Sequence, residues 1–301
     1  MRDTVADIAQ PGASPGPWKR GVTSAAMVVA CLLLIIKIIA WALTGSVAVL
    51  ATLMDSGLDL LSSAGAFLAV RMAAQPPDEN HRFGHQKAEA VSALLQTAVI
   101  AASATLVTIE SVRRLFHPSP IENPGVAVVA LTVSLLLTVG LVAAQSIAVR
   151  KTGSVVLKAD RAHYTGDIIA NLGILAAIMI ASTTDFLRAD GIAGLVAAGF
   201  LFWSVREVAS EALPDLMDEE LPEDERAEIE KTIRQNPVVY GFHNLRTRKA
   251  GTARFIQVDL ELSGDMLLKD AHDIATRVSK DLREAFPGAD VVVHQDTADD
   301  H

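Results

Sequence analysis

The sequence predicts an α-helical membrane protein with six transmembrane helices followed by a small cytoplasmic α/β domain. Three observations predict it. Half of the 301 residues are hydrophobic and the mean hydropathy is +0.34, too apolar for an ordinary soluble protein. Apolar runs of membrane-spanning length follow one another between residues 21 and 210. Beyond about residue 211 the chain turns charged, and its apolar residues take helical and alternating spacings.

A spanning helix needs about 20 mostly apolar residues. The candidates are 21–43, 46–72, 89–112, 124–149, 155–181 and 187–210. Residues 1–20, rich in Pro, Gly and Ala, read as a disordered leader. Lys19 and Arg20 then precede a run long enough to span, with no small-residue cleavage site after it, so the run reads as a helix and not as a signal peptide. Thr44-Gly45-Ser46 makes a tight turn, the prolines of HPSPIENPG separate the third helix from the fourth, and STTDF separates the fifth from the sixth. Lys19, Arg20, Arg71, Arg82, Lys87, Arg150, Lys151, Lys158 and Arg161 fall in or beside the loops of one side. Arg113, Arg114 and Arg188 lie near the other. The positive-inside rule therefore predicts a multi-pass membrane protein with both termini in the cytoplasm.

The tail, residues 211–301, reads as helix, two strands, helix, strand. ASEALPDLMDEELPEDERAEIEKTIRQN is acidic and helical, with Pro222 at a helix start. RFIQVDLEL alternates like a half-buried strand, LLKDAHDIATRVSKDLREAF has helical spacing and stops at Pro287-Gly288, and ADVVVHQD is a last strand. About 90 residues hold a modest core. The net charge of −9 argues against a nucleic-acid partner. The single cysteine, Cys31, forms no intrachain disulfide and excludes a cysteine-based zinc site, so any metal here is held by His and carboxylates.

Two of the apolar segments carry such residues four apart: Asp55 and Asp59 in the second, His163 and Asp167 in the fifth. Positions i and i+4 share one helix face, so each helix offers two ligands to one point. Together they complete the tetrahedral shell that zinc prefers. An ionisable group in mid-membrane costs roughly 2.5–3.5 kcal/mol on insertion scales and usually marks an ion or proton pathway. The bland alternative is a set of polar contacts between helices. Asp78, His81 and His85 form a D-x2-H-x3-H cluster in the loop after the second helix, which suits either one ion or a solvated loop. His243, His272, His294 and Asp296 lie in the tail. Alternation points His294 and Asp296 to one face of a strand, and spacing says nothing about whether all four converge. Lys37, in the first helix, snorkels or pairs with a carboxylate.

The ordered set MDSGLD, QPPDENHRFGHQKAEA, HYTGD, HNLRTRKAGTARFIQ and VVVHQD resembles the cation diffusion facilitator family, over about residues 25–296. The resemblance implies a metallochaperone-like tail and a homodimer that exports divalent metal ions in exchange for protons. It implies Zn2+ as cargo and as structural ion, with Fe2+ or Cd2+ as further candidates. It makes Asp55, Asp59, His163 and Asp167 the transport site and Asp78, His81 and His85 a second site. His243, His272, His294 and Asp296 become part of a binuclear site in the tail, and Lys87 with Asp218 a salt bridge between protomers. Asp259 stands where the family pattern has a histidine ligand, and the extra carboxylate shifts that site toward harder ions. A membrane-anchored metal sensor without transport is the alternative function, as is a family transporter specific for Fe2+ or Mn2+. An enzyme is not expected, because four ligands leave no open position for activated water.

Overall fold

The computed structural model describes residues 17–44, 47–117, 124–184 and 188–298. The expected leader up to residue 16, the Gly45-Ser46 turn, residues 118–123 and 185–187 of two connections, and His301 lie outside the described residues. Six long helices come first: α1 (Pro17–Thr44), α2 (Val47–Ala73), α3 (Lys87–Phe116), α4 (Pro124–Thr152), α5 (Val155–Thr184) and α6 (Ala189–Leu216). Each has 27 to 30 residues, and at 1.5 Å per residue each exceeds the roughly 30 Å of a bilayer core. Among the described residues α1, α3, α4 and α6 contain windows apolar enough to cross a membrane. The chain is thus an α-helical membrane protein. Leu61, Leu106 and Leu136 are 70%, 68% and 70% exposed, an arrangement that water penalises and lipid does not.

Several helices are longer than the hydropathy reading. α1 starts at Pro17, because proline's fixed φ suits a first helical turn. Residues 17–20, expected in the leader, are therefore helical. α4 runs on to Thr152 and ends at Gly153, whose φ of +60° is the left-handed stop that glycine adopts without strain. Lys19 is not a free loop cation. It is buried on α1 and pairs at 2.6 Å with Glu89 of α3, which also accepts the hydroxyl of Ser154 at 2.5 Å. Lys158, inside α5, pairs with Glu207 and Glu211 of α6. Small residues let the helices close up: a Cβ on Gly173 would sit 2.7 Å from that of Ala193.

The tail contributes α7 (Glu223–Arg234), β1 (Gly241–Ala250), β2 (Ala253–Leu262), α8 (Leu268–Ala285) and β3 (Asp290–Thr297). This is the expected order of helix, two strands, helix and strand. The sheet has the order β1-β2-β3, with β1/β2 antiparallel and β2/β3 parallel. Ile256, Val258, Leu260 and Leu262 alternate along β2 onto one face. There they meet Ile229 and Ile233 of α7 and Ile274, Val278 and Leu282 of α8. Gly251, at φ +59°, opens the two-residue β1–β2 turn.

The described residues fall into two compact units. One comprises 17–73 and 88–213, the other 74–87 and 214–298. The loop after α2 thus belongs with the tail. Phe83 lies edge-on to Phe255, with ring centres 5.9 Å apart. The Arg248 guanidinium stands 4.1 Å from the Phe255 ring centre and 5.2 Å from that of Phe83. Gln86 Oε1 accepts the Ala253 amide at 3.0 Å.

Candidate metal centre

α2 and α5 meet along a face with three successive layers. Nearest the C-terminus of α2, Ala66, Ala69 and Val70 pack on Val156. One turn further in, Ser63 faces Asp160 and Tyr164. Beyond that lie Asp59, His163 and Asp167. Positions 160, 163, 164 and 167 have the i, i+3, i+4, i+7 spacing of one helix face, so α5 presents a polar stripe to α2.

The structure brings three of the four intramembrane candidates together. His163 Nε2 lies 2.7 Å from Asp59 Oδ1 and 4.0 Å from Asp167 Oδ2. One ligand atom from each of the three lies within 4.8 Å of the others. Asp59 and His163 are buried, and the Asp167 side chain is one-third exposed. Zinc sits about 2.0–2.2 Å from oxygen and nitrogen ligands, so modest rotamer changes would close this trio on an ion. Asp55 lies on α2 one turn from Asp59, but its side chain is outside the described residues. Lys37 Nζ donates to the Ser56 hydroxyl at 2.5 Å, so its head reaches α2 instead of the lipid surface.

The loop trio also converges, with ligand atoms of Asp78, His81 and His85 within 4.8 Å of one another. Asp78 Oδ1 accepts the backbone amides of His81 at 2.6 Å and Asn80 at 2.9 Å. The His81 amide is the main reason its carboxyl titrates below the usual carboxylate value. Gly84, at φ +86°, turns the chain so that His85 Nε2 comes back to 3.1 Å from His81 Nδ1 and 3.3 Å from Asp78 Oδ2.

In the tail, β1 carries a bulge between His243 and Arg246, with Asn244 at φ +50°. Such a bulge re-aims neighbouring side chains. His243 Nδ1 contacts Glu261 Oε1 at 3.0 Å, while Nε2 lies 3.4 Å from Asp296 Oδ2 and 3.9 Å from Asp259 Oδ2. The hydrogen bond to Glu261 raises the His243 value above that of free imidazole, so an ion bound there must displace a more firmly held proton. Glu261 is the participant that sequence reasoning missed. Two residues along the strand from Asp259, it looks like any outward polar residue. His272 is exposed on α8, and His294, also exposed, stands on β3 in register with Asp259, so the pairing puts it on the same face of the sheet as His243 and Asp259.

Lys87 and Asp218, which the resemblance places between protomers, pair within one chain at 2.8 Å, and Asp218 also accepts from Arg248 at 3.0 Å. Partial burial raises the Asp218 value, but Lys87 and Arg248 outweigh it and hold the carboxyl below the ordinary carboxylate value. A depressed carboxylate adds stability above its unfolded value and loses it as the pH falls through its folded value. Acidification through that window should loosen the 74–87 loop, with Asp218→Asn loosened already at neutral pH. The exposed pair sets the scale at about 1 kcal/mol or less. Hydrogen exchange of the loop amides against pH checks this, and identical profiles for the two proteins would contradict it.

Residues 24–217 match the family described as the cation efflux transmembrane domain, and residues 221–298 match the cation efflux protein cytoplasmic domain. The chain is 41% identical over 272 residues to the cation-efflux pump FieF of Escherichia coli O139:H28 (strain E24377A / ETEC), covering 90% of each. It is equally similar to the cation-efflux pump FieF of Citrobacter koseri, again at 41% over 90% of each. Among solved structures it is similar to the metal-bound C-terminal domain of the CzcD transporter from Thermotoga maritima. The two are 29% identical, with a TM-score of 0.25, over 26% of this chain and 91% of that one.

Proposed function

Because this chain belongs to the cation diffusion facilitator family and so exports divalent metal cations, we propose that its cargo is Zn2+ and that incoming protons drive the export. Fe2+ and Cd2+ are further cargo candidates. The hydrogen bond between His163 Nε2 and Asp59 Oδ1 carries this reading. At that distance the two atoms share a proton, and both would have to face the same ion. Zinc binds only neutral imidazole and ionised carboxylate, so entry of the metal expels that proton, and return of a proton expels the metal.

Asp55, Asp59, His163 and Asp167 form the transport site, and rocking of the helices about it would open it to each side in turn. Both termini lie in the cytoplasm, in an inner membrane. The protein works as a homodimer whose tails meet. Asp78, His81 and His85 form a loop site. His243, Asp259 and Asp296 form a tail site with Glu261, to which His272 and His294 contribute across the dimer. The three carboxylates beside one imidazole support an ion harder than zinc there as well.

The test is zinc uptake by proteoliposomes with an imposed pH gradient. Uptake that requires the gradient supports the reading. Zinc binding without flux would move the function to a membrane-anchored sensor, and flux of Fe2+ or Mn2+ alone would move the cargo.

A further inference from the structure

One buried acid takes no part in any of the three ligand clusters. Asp160, on α5, has no exposed surface, and neither have Gln145 of α4, Ser63 of α2 or Tyr164 of α5. Gln145 Nε2 donates to Asp160 Oδ2 at 2.7 Å, and the Ser63 hydroxyl stands 3.5 Å from Asp160 Oδ1. Ser63 Oγ is also 2.9 Å from the Tyr164 hydroxyl. Serine has one proton to give. If it goes to Asp160, tyrosine must donate to serine. Two chains of donors then run from three helices into one carboxylate. Such a group buried without partners would cost several kcal/mol, so the set is most stable when all three helices are in register.

Three of the four members sit one turn from a transport-site ligand. Ser63 is four residues beyond Asp59, Asp160 three before His163, and Tyr164 three before Asp167. The Tyr164 ring also packs edge-on to the His163 ring at 5.5 Å. Rotation or sliding of α5 against α2 would break the Asp160 layer and separate the ligand layer together.

We propose that Asp160 is a positioning residue, which locks α5 to α2 and α4 so that His163 and Asp167 meet Asp59. It does this without ligating the ion. This rests on the transport-site reading above. Groups that orient metal ligands typically contribute about 10–100-fold in metal affinity.

The experiment uses the full chain in proteoliposomes, with initial zinc flux measured against zinc concentration for wild type, Asp160→Leu, Asp160→Asn and Gln145→Leu. Zinc binding in detergent is measured in parallel, and the intramembrane share is read as the difference from an Asp59→Ala protein. Asp160→Leu should raise the half-saturating zinc concentration by about tenfold or more, with the maximal rate changed far less. Asp160→Asn keeps an oxygen acceptor and should recover most of that loss. Wild-type half-saturation in Asp160→Leu would overturn the proposal. So would an Asn variant as impaired as the Leu variant, since charge and not the hydrogen-bonded lock would then be at work. If Asp160→Leu does not fold, Gln145→Leu, which removes the shortest bond and keeps the acid, carries the same expectation at smaller size, and unchanged half-saturation there overturns the proposal too. If wild type binds zinc in an Asp59-dependent way but moves none, the transport reading fails, and the binding titrations decide the role of Asp160.

Discussion

Replacing Asp59 by alanine is expected to abolish zinc flux, lowering initial rates by about two orders of magnitude or more, beyond the 10–100-fold typical of losing an outer partner of a metal ligand. Asp59 is buried and lies 2.7 Å from His163 Nε2, so the change removes a proposed ligand and the hydrogen-bond partner of the imidazole. The protein should still fold. The unpartnered imidazole costs about 1–3 kcal/mol, while the apolar layer of Ala66, Ala69, Val70 and Val156, the Ser63–Asp160 layer and the Lys19–Glu89 pair all stay in place. Gel filtration as a single symmetric peak would show that the variant is intact. Near-wild-type flux from such a protein would remove Asp59, and with it the transport site, from the mechanism.

The second large effect lies outside the membrane segments. Leu282 is fully buried on α8, among Ile256, Leu260 and Val278. Leu282→Ala removes its contacts and leaves a cavity, for which about 2–5 kcal/mol is typical. Small domains have only about 5–15 kcal/mol to lose, so the tail should unfold at a much lower urea concentration. Hydrogen exchange of the β2 amides in the full chain reads this directly. An unchanged midpoint would mean that the α8–sheet core does not govern the stability of this unit.

What was legible in the sequence is what repeats along it. The apolar runs mark α1 to α6 because a helix must match the bilayer, and Asp59, His163 and Asp167 stand out because a charge in such a run is costly. β2 is legible because every second residue from Ile256 to Leu262 is apolar. Pairs made across the fold leave no such trace. Nothing near Lys19 announces Glu89, seventy positions on. Gln145 and Asp160 read as isolated polar residues until α4 and α5 are laid side by side. Asn244 is an ordinary strand residue until its positive φ shows the bulge that turns His243 toward Glu261. Phe83 and Gln86, read as part of a loop, become contacts only when Phe255 and Ala253 arrive from 170 residues away in the chain, roughly the reach that local patterning cannot encode.

The docking of residues 74–87 onto the tail has a topological outcome. Their far end continues into α3, and α6 leads back into the tail. Phe83, Gln86 and Lys87, gripping Phe255, Ala253 and Asp218, therefore close the stretch from α3 to α6 into a ring sealed by non-covalent contacts. Opening that clasp frees the start of α3 and the end of α6 together and returns the loop-closure entropy of a long segment. The clasp acts on the bundle as a reversible crosslink, one that forms only when the tail is folded.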